Sequence, residues 1–458
     1  MGLSTILPGI LLLGIVIFIH ELGHFIVAKW RGVTVVRFSL GMGPEMVGFA
    51  HRGTRYTIGW IPLGGFVQMA GDHLNDDGSM PEGGPEQFLT HPWPGRMLIA
   101  VAGPVANLFL AYATYVVLLT TGFKVPDFAN VLGTVPESSA AHATGFRSGD
   151  RFTALGGKPV GTWRQMEQAY SAADTGDGLT FAIERAETSL AVTIPGGQVR
   201  RTIAELEPPA SPPLIGAIRS GLPAYLAGFR VGDFVLSVDD VPVTTFQGIR
   251  AALHGKAERE VRVRVRRAGG VVELRVKPIR DETGSDPTAG LIGVEPPVGL
   301  TWRLKLPLRE AFGAAGTQTL ASIATVYDGL WKSVTRFWQY REQLGGPIFI
   351  AQMASDAARR GLDDWLALLA IINLAIMSFN LLPVPLLDGG HITLALVEAV
   401  RRRAVSGRSY LTFQKVGLVV VGVLFLFIIS QDILRPLRRM RALDRNPRET
   451  TTVAPSRR

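Results

Sequence analysis

The sequence predicts a multi-pass α-helical membrane protein with four transmembrane helices and two inserted copies of a small α/β domain. Three observations support this prediction: four apolar runs near bilayer length, an internal repeat between the second and third run, and a low content of charged residues. Hydrophobic residues make up 47% of the 458 residues and charged residues only 19%, as expected for a mixture of membrane helices and soluble domains.

The four apolar runs are candidates for membrane-spanning helices because about 20 apolar residues cross a bilayer. They are Leu3–Ala28, Met97–Thr121, Trp365–Leu382 and Val416–Ile429. Basic residues follow the first and third runs, which predicts that residues 30–95 and the loop after the third run are cytoplasmic. The segment 125–360 and both termini would then lie outside. The arginine-rich tail from Arg435 runs against this topology.

The first apolar run contains the sequence His20-Glu21-Leu22-Gly23-His24. On a helix the two histidines lie one turn apart on one face, so both imidazoles can reach one metal ion. Glu21 can then take a proton from the attacking water. The alternative is a chance match, but ionisable groups at membrane depth cost several kcal/mol unless they have partners. The protein has no cysteine, so a Zn²⁺ ion would need His, Asp or Glu ligands, a set typical of catalytic sites.

A catalytic zinc site needs a third protein ligand, and the end of the third apolar run offers two. Pro383 and Pro385 break the helix there and free backbone groups that can line a cavity. Asp388 follows this break as a carboxylate at membrane level, and His391 is a rival ligand three residues later. An ordinary helix terminus with an Asp-Gly-Gly turn is a third interpretation. The residues alone leave the choice open.

A short stretch in the predicted inner loop, Tyr56–Met69, has β character with a bend at Gly64 and Gly65. A strand at membrane depth is tolerated only against protein or water, so this one would line the active-site cavity. Its edge would bind an unwound substrate next to Gly64 and Gly65. An ordinary hairpin on the cytoplasmic face explains the residues equally well.

The internal repeat lies between the second and third apolar runs. Gly145–Asp150 recurs as Gly228–Asp233, a shift of 83 residues (228 minus 145). Such a shift indicates two copies of one domain. Each copy alternates short β runs (Arg151–Leu155 and Leu179–Arg185; Phe234–Val238 and Val261–Arg266) with one helix (Trp163–Ala172; Phe246–Ala252). The pattern resembles the PDZ domain, which binds an extended peptide or the C-terminus of another protein at a sheet edge. Spacer domains without a ligand are the alternative.

The two metal-binding motifs together resemble those of the site-2 protease family of intramembrane zinc metalloproteases. The motifs are HExxH at residues 20–24 and Asn380-x-x-Pro383-x-Pro385-x-Leu387-Asp388-Gly389. The tandem PDZ-like repeat makes the sequence similar to the family's bacterial branch of sigma-E-regulating proteases, as do three short stretches. These stretches are Ile61–Met69, Ala102–Asn107 and Leu344–Ile348.

The resemblance implies a zinc ion held by His20, His24 and Asp388, with Glu21 as general base. It implies that Asn380 contacts the substrate near the scissile bond and that His391 is not a ligand. The expected substrate is a single-span membrane protein, an anti-sigma factor or a remnant signal peptide, cut after a prior extracytoplasmic cleavage. The expected location is the bacterial inner membrane, with the PDZ-like domains outside. Nucleic acid is not an expected partner, because no basic stripe interleaves with aromatic residues.

These observations divide the sequence into six predicted segments. They are a first membrane part (1–124), two PDZ-like domains (125–208 and 209–281), amphipathic linker helices (282–362), a second membrane part (363–434) and a disordered basic tail (435–458). Outside the membrane the PDZ pair would exclude untrimmed substrates by size or recruit trimmed ones. A PDZ scaffold with an inactive metal site and a metal-dependent transporter are the rival interpretations of the whole protein.

Overall fold

The computed structural model describes residues 3–75, 79–174, 176–219, 221–267, 270–280, 288–297, 299–341 and 344–444. These residues form two compact units. One unit contains the described residues up to Phe123 together with Leu304–Leu434, and the other contains the described residues of Lys124–Arg303. Each unit is described separately.

The four predicted transmembrane segments are helices. Among the described residues, four helices are long and apolar enough to cross a membrane: Leu7–Trp30, Trp93–Thr121, Leu362–Asn380 and Gly407–Leu434. The first elements in sequence order are α1 (Leu3–Trp30), β1 (Val35–His51), β2 (Thr54–Met69), α2 (Trp93–Thr121) and β3 (Phe123–Asp127). Helices α1 and α2 cross closely at Gly23, where an added Cβ would lie only 2.3 Å from the carbonyl oxygen of Ala102. Small residues permit such close crossings of membrane helices.

Strands β1 and β2 confirm the β character predicted for residues 56–69 and form one antiparallel sheet. Both strands bend, so β1 pairs with β2 twice: Leu40 is opposite both Gly65 and Ile58. The resulting order of segments is 65–69, 35–40, 54–58 and 45–51. Gly41 and Gly64 have φ values of 86° and 93°, a backbone conformation that glycine adopts without strain. The segment 65–69 is therefore an edge of this sheet, and it lies against α1.

The two repeated domains have main sheets of the same strand order, as expected from the internal repeat. The first contains α3 (Ala140–Ala143), β4 (Arg151–Leu155), β5 (Lys158–Pro159), α4 (Trp163–Ser171), β6 (Leu179–Arg185), β7 (Thr188–Ile194), a 3-10 turn (Gly196–Gln198) and α5 (Val199–Ile203). The second contains β8 (Ala217–Ile218), α6 (Pro223–Leu226), β9 (Phe234–Val238), β10 (Val241–Pro242), α7 (Phe246–Leu253), β11 (Val261–Arg267), β12 (Gly270–Val276), β13 (Ile279–Arg280), β14 (Gly290–Leu291) and β15 (Val294–Glu295). Their main sheets have the orders β5-β4-β6-β7 and β10-β9-β11-β12. Buried Ile292 belongs to the second core at 3% exposure, so that core extends past residue 281.

The repeated Gly-to-Asp motif has a packing role in each domain. Arg185 donates to the buried carboxylate of Asp150 and, over 2.7 Å, to the carbonyl oxygen of Gly145. This hydrogen bond to Asp150 raises the pKa of Arg185. Arg267 makes the same contacts in the second domain, with Asp233 and the carbonyl of Gly228. The motif therefore ties the turn before each first strand to the end of β6 or β11.

The remaining elements include the predicted helices between the second domain and the third span. They are β16 (Leu300–Leu304), α8 (Leu308–Thr335), α9 (Phe337–Tyr340), α10 (Pro347–Arg360), α11 (Leu362–Asn380), α12 (Asp388–Arg401) and α13 (Gly407–Asp444). Helix α13 continues to Asp444 and so includes residues 435–444, the first part of the tail that the sequence predicts to be disordered. Leu, Arg, Met and Ala favour helix there, and extending an existing helix avoids the cost of nucleation. The rest of the tail, 445–458, lies outside the described residues.

Asp432 of α13 closes the N-terminal end of α10. Its carboxylate is 4% exposed and accepts hydrogen bonds from the backbone N–H groups of Gly346 (3.0 Å), Ile348 (3.1 Å) and Phe349 (3.3 Å). A helix N-terminus carries unpaired N–H groups and a partial positive charge, so a carboxylate stabilises it. A Cβ on Gly346 would lie 2.7 Å from the carboxylate, which explains a glycine at this position.

Candidate metal centre

The two histidines of the HExxH sequence lie side by side within α1. Their Nε2 atoms are 3.2 Å apart, and each side chain is buried at 7% exposure. The spacing of four residues on a helix produces this arrangement, as the sequence predicts. Two Nε2 atoms at this distance can both bind one cation.

Asp388 is brought to the histidines by a reversal of the backbone after α11. Helix α11 ends at Asn380, and α12 starts at Asp388 after the turn containing the two prolines. Leu386 has a φ of 73° in this turn. A Cβ on Gly389 would lie 2.0 Å from the carbonyl oxygen of Leu382, and one on Gly390 would lie 2.7 Å from that of Val384. The two glycines therefore let α12 start directly against the turn, which places Asp388 in the cavity.

The three side chains form a compact set of donor atoms. Asp388 Oδ2 lies 3.1 Å from His20 Nε2, and Asp388 Oδ1 lies 3.3 Å from His24 Nε2. One donor atom from each residue lies within 4.8 Å of the others. Tetrahedral zinc with bonds of about 2.0–2.1 Å has donor atoms ~3.3 Å apart. The nitrogen and oxygen atoms present here therefore fit three ligands of a zinc ion, the number that catalytic zinc sites take from the protein.

His24 is oriented by a backbone carbonyl. Its Nδ1 donates a hydrogen bond of 2.7 Å to the carbonyl oxygen of Ile99 on α2, so its Nε2 carries the lone pair that a metal needs. The same helix approaches the ring closely: a Cβ on Gly103 would lie 2.3 Å from His24 Nε2 and 2.8 Å from His20 Cε1. Helix α2 is thus the second wall of the centre.

Glu21 is held by the edge of the β1–β2 sheet. Its Oε2 accepts a hydrogen bond of 3.0 Å from the backbone N–H of Val67. A Cβ on Gly65 would lie 3.7 Å from Glu21 Cγ, and Gly64 provides the bend before this segment. The structure therefore brings the predicted strand next to the predicted base, which the sequence motif alone does not require.

One cavity of about 500 Å³ contains the predicted site residues of α1, α11 and α12. It is lined by His20, Glu21, His24, Asn380, Asp388 and His391, with Phe66, Val67, Phe88 and Tyr410 among the other residues. Asn380 Nδ2 lies 3.4 Å from His20 Nε2. His391 lines the cavity but lies outside the three-residue donor set, and its ring packs edge-on against Phe88 at 5.4 Å.

Three contacts around the centre were not predicted from the sequence. Arg96 of α2 donates to Glu398 of α12, and both are buried, so this ion pair fixes α12 against α2. Asn107 Nδ2 lies 3.3 Å from His20 Nδ1. The third contact is the Val67 hydrogen bond. A polar residue in an apolar span is a usable sequence signal for Arg96 and Asn107, whereas a backbone N–H leaves no such signal.

Two histidines and a glutamate on an apolar span, with a carboxylate at the start of the helix after the third span, are the kind of site that a membrane-embedded metalloprotease uses. The chain matches the model of Peptidase family M50 over residues 8–424 and belongs to this family, the site-2 proteases. Its relatives include proteins whose names describe them as zinc metalloproteases. One from Brucella suis biovar 1 is 29% identical over 94% of this chain and 95% of its own length. One from Neisseria meningitidis serogroup A is 27% identical over 95% and 100%, and one from Vibrio cholerae serotype O1 is 29% identical over 93% and 97%.

The family and these relatives establish the coarse function. The protein is a membrane zinc metalloprotease, and the prediction of an enzyme that uses Zn²⁺ is confirmed.

Proposed function

We propose that this protein is an endopeptidase that cuts single-span membrane proteins within or next to their transmembrane helix. The observation that supports this proposal is the donor set of His20, His24 and Asp388, which lies with Glu21 in one cavity lined by apolar helices and the start of α12. A hydrolytic site inside such helices has access to peptide bonds that soluble proteases cannot reach.

The three donor residues would hold the zinc ion and leave one side of it open to the cavity. When bound, zinc polarises the scissile carbonyl and makes water more acidic. Glu21 takes a proton from the attacking water and returns it to the leaving amine. Asn380, at the end of α11 and beside His20, offers an amide N–H to the substrate near the scissile bond.

A substrate helix has to unwind before cleavage, because helical hydrogen bonds hide its carbonyl groups. The edge segment 65–69 offers backbone groups to an extended strand, in the manner of other sheet edges that bind peptides. Val67 on this segment donates to Glu21, so a strand bound there would lie next to the base. The role of Gly64 and Gly65 in this proposal is to form the bend that leaves this edge open to the substrate strand.

The repeated domains would regulate access to the centre. We place them as PDZ-like domains (residues 125–208 and from 209 past 281) outside a bacterial inner membrane, because basic residues favour the cytoplasm for residues 30–95. Two packed domains there would prevent a bulky extracytoplasmic domain from following its helix into the cavity. Substrates would be anti-sigma factors or remnant signal peptides that another protease has already trimmed.

The second domain also contains a groove that suits an extended peptide. A cavity of about 320 Å³ lies between α7 and residues 290–294, lined by apolar side chains together with Arg219 and Arg250. Arg219 forms an exposed ion pair with Glu295 at the rim of this groove, so it could exchange that partner for the carboxylate of a bound peptide. This groove supports recruitment of a substrate's free C-terminus as a second role for the domain.

The main test compares wild type with Glu21→Gln in a co-expression assay with tagged single-span substrates. We expect the variant to keep its zinc, because the donor set is intact, and to lose cleavage by ~10²–10⁴-fold, the usual effect of removing a general base. A membrane-bound substrate fragment should accumulate. Wild-type cleavage rates in a zinc-loaded Glu21→Gln protein would remove Glu21 from the proposed mechanism.

The role of the repeated domains is tested by deleting residues 128–299, which spares β3 and β16. If they act as a filter, the deletion should let the enzyme cut untrimmed substrate that the intact protein ignores. If they recruit trimmed substrate, the deletion should slow cleavage of trimmed and untrimmed forms alike, and Arg250→Ala should slow it as well. Slower cleavage of both forms would therefore reject the filter.

A further inference from the structure

Helix α2 carries a fully buried asparagine that contacts one of the two metal-facing histidines. Asn107 has 0% exposure, and its Nδ2 lies 3.3 Å from His20 Nδ1, the ring nitrogen opposite the one that faces the cavity. Its Oδ1 has no hydrogen-bond partner among the described residues. A buried amide oxygen without a partner is costly, so the oxygen and nitrogen of this amide have to be assigned from the groups that surround them.

The two ring nitrogens of His20 cannot be considered separately, because a neutral imidazole carries one proton. His20 Nε2 faces His24 Nε2 at 3.2 Å and Asp388 Oδ2 at 3.1 Å. A lone pair on Nε2, as a metal requires, places the proton on Nδ1. That N–H then points at the amide of Asn107 and needs an acceptor.

Rotating the Asn107 amide by 180° exchanges its oxygen and nitrogen and supplies that acceptor. The amide oxygen, which otherwise has no partner, then lies where Nδ2 is 3.3 Å from His20 Nδ1. His24 already has the equivalent arrangement, in which its Nδ1 donates to the carbonyl of Ile99. Both acceptors belong to α2, and Gly23 and Gly103 allow α1 and α2 to approach closely enough for both contacts.

We propose that Asn107 is a positioning residue: its side-chain oxygen accepts a hydrogen bond from the Nδ1–H of His20 and so keeps the Nε2 lone pair directed at the metal. The inference rests on the proposed role of His20 as a zinc ligand. Partners of this kind typically change metal affinity by ~10–100-fold. In their absence His20 has a free choice of tautomer and ring orientation, and the tautomer with its proton on Nε2 cannot bind a metal through that atom.

The test measures zinc affinity by chelator competition in purified full-length protein, for Asn107→Leu and Asn107→Asp. Leucine fills similar space without an acceptor, and we expect its zinc affinity to fall by ~10–100-fold. Aspartate keeps an acceptor at the same place, so its affinity should return to within a few-fold of wild type. The melting temperature of each metal-free variant is measured alongside. If Asn107 only stabilised the fold, this melting temperature would fall together with the zinc affinity.

Asn373 of α11 provides the matched control. It is also a fully buried asparagine in a membrane helix, its Oδ1 is likewise without a partner among the described residues, and its Nδ2 donates only within its own helix, to Leu369. Asn373→Leu should leave zinc affinity unchanged. Equal zinc affinities for Asn107→Leu, Asn373→Leu and wild type would overturn the proposal, and so would equal weakening by Asn107→Asp and Asn107→Leu.

His20→Ala separates this inference from the proposed site. If His20→Ala loses zinc while Asn107→Leu keeps wild-type affinity, the ligand assignment holds and only the positioning role is wrong. If His20→Ala keeps full zinc affinity, the proposed site itself is wrong, and the role of Asn107 falls with it. Should Asn107→Leu fail to fold, the same comparison is made with Asn107→Ala, which is smaller, also has no acceptor, and is expected to weaken zinc binding as well.

Discussion

A single methyl group added to α2 at Gly103 should abolish the metal centre. In Gly103→Ala the new Cβ would lie 2.3 Å from His24 Nε2 and 2.8 Å from His20 Cε1. Ordinary van der Waals contact starts at 3.4 Å, so His24 Nε2 would have to move by about 1.1 Å (3.4 minus 2.3). Zinc sites tolerate deviations of only about 0.2 Å in their bond lengths.

We therefore expect Gly103→Ala to lose stoichiometric zinc and to cleave substrate at least ~10²-fold more slowly, as displacements near 1 Å typically do. The assay is metal analysis of the purified variant together with cleavage of a single-span substrate. Gly14→Ala and Gly422→Ala are matched controls, because a Cβ at either helical position meets no atom within 4 Å. These two variants should keep zinc and gain up to ~1 kcal/mol of helix stability. A Gly103→Ala protein with one zinc ion per molecule and wild-type activity would refute the close approach of α2 to the histidines.

Two further predictions concern Asp388 and Asp432, two carboxylates of the membrane unit. Asp388→Ala should lose zinc and activity, whereas His391→Ala should keep its zinc because His391 lies outside the donor set. The zinc content of both purified variants checks this. Zinc retained in Asp388→Ala and lost in His391→Ala would make His391 the third ligand instead. Asp432→Ala should lower the free energy of unfolding by about 1–3 kcal/mol, because three backbone N–H groups at the N-terminal end of α10 lose their buried acceptor. Asp364→Ala, which breaks an exposed pair with Arg360, is the control and should change stability by under ~1 kcal/mol.

The sequence was sufficient for the parts of the molecule that depend on local pattern. Apolar length predicted the four spans, and the repeated Gly-to-Asp motif predicted two domains of equal topology, with strand bounds such as Arg151–Leu155 and Phe234–Val238 matching the structure. The pair His20 and His24 needed only the helical period. Each of these features is determined by residues that are near in sequence or by a repeat that can be read directly.

Features that depend on distant contacts could not be predicted in this way. The residues alone left Asp388 and His391 as rivals, because the choice depends on how α12 starts against the preceding turn. The contact of Val67 with Glu21 joins a backbone group to a residue 46 positions earlier. Asn107 was noted in the sequence only as part of a family pattern, because its partner belongs to another helix. The helix over residues 435–444 was not predicted either, since high charge alone does not stop a helix that is already formed.

The closure of α10 by Asp432 has a consequence for how the protein is made. Gly346 leaves the ribosome 86 residues before the aspartate that accepts its N–H, roughly 4–17 s earlier at about 5–20 residues per second. During that interval the first turn of α10 has three N–H groups without their final acceptor, next to apolar segments that leave the water phase. The fourth span therefore acts as the last piece of the assembly as well as a membrane anchor. Polypeptides that terminate before residue 432 should remain open at α10 and become substrates for membrane quality control.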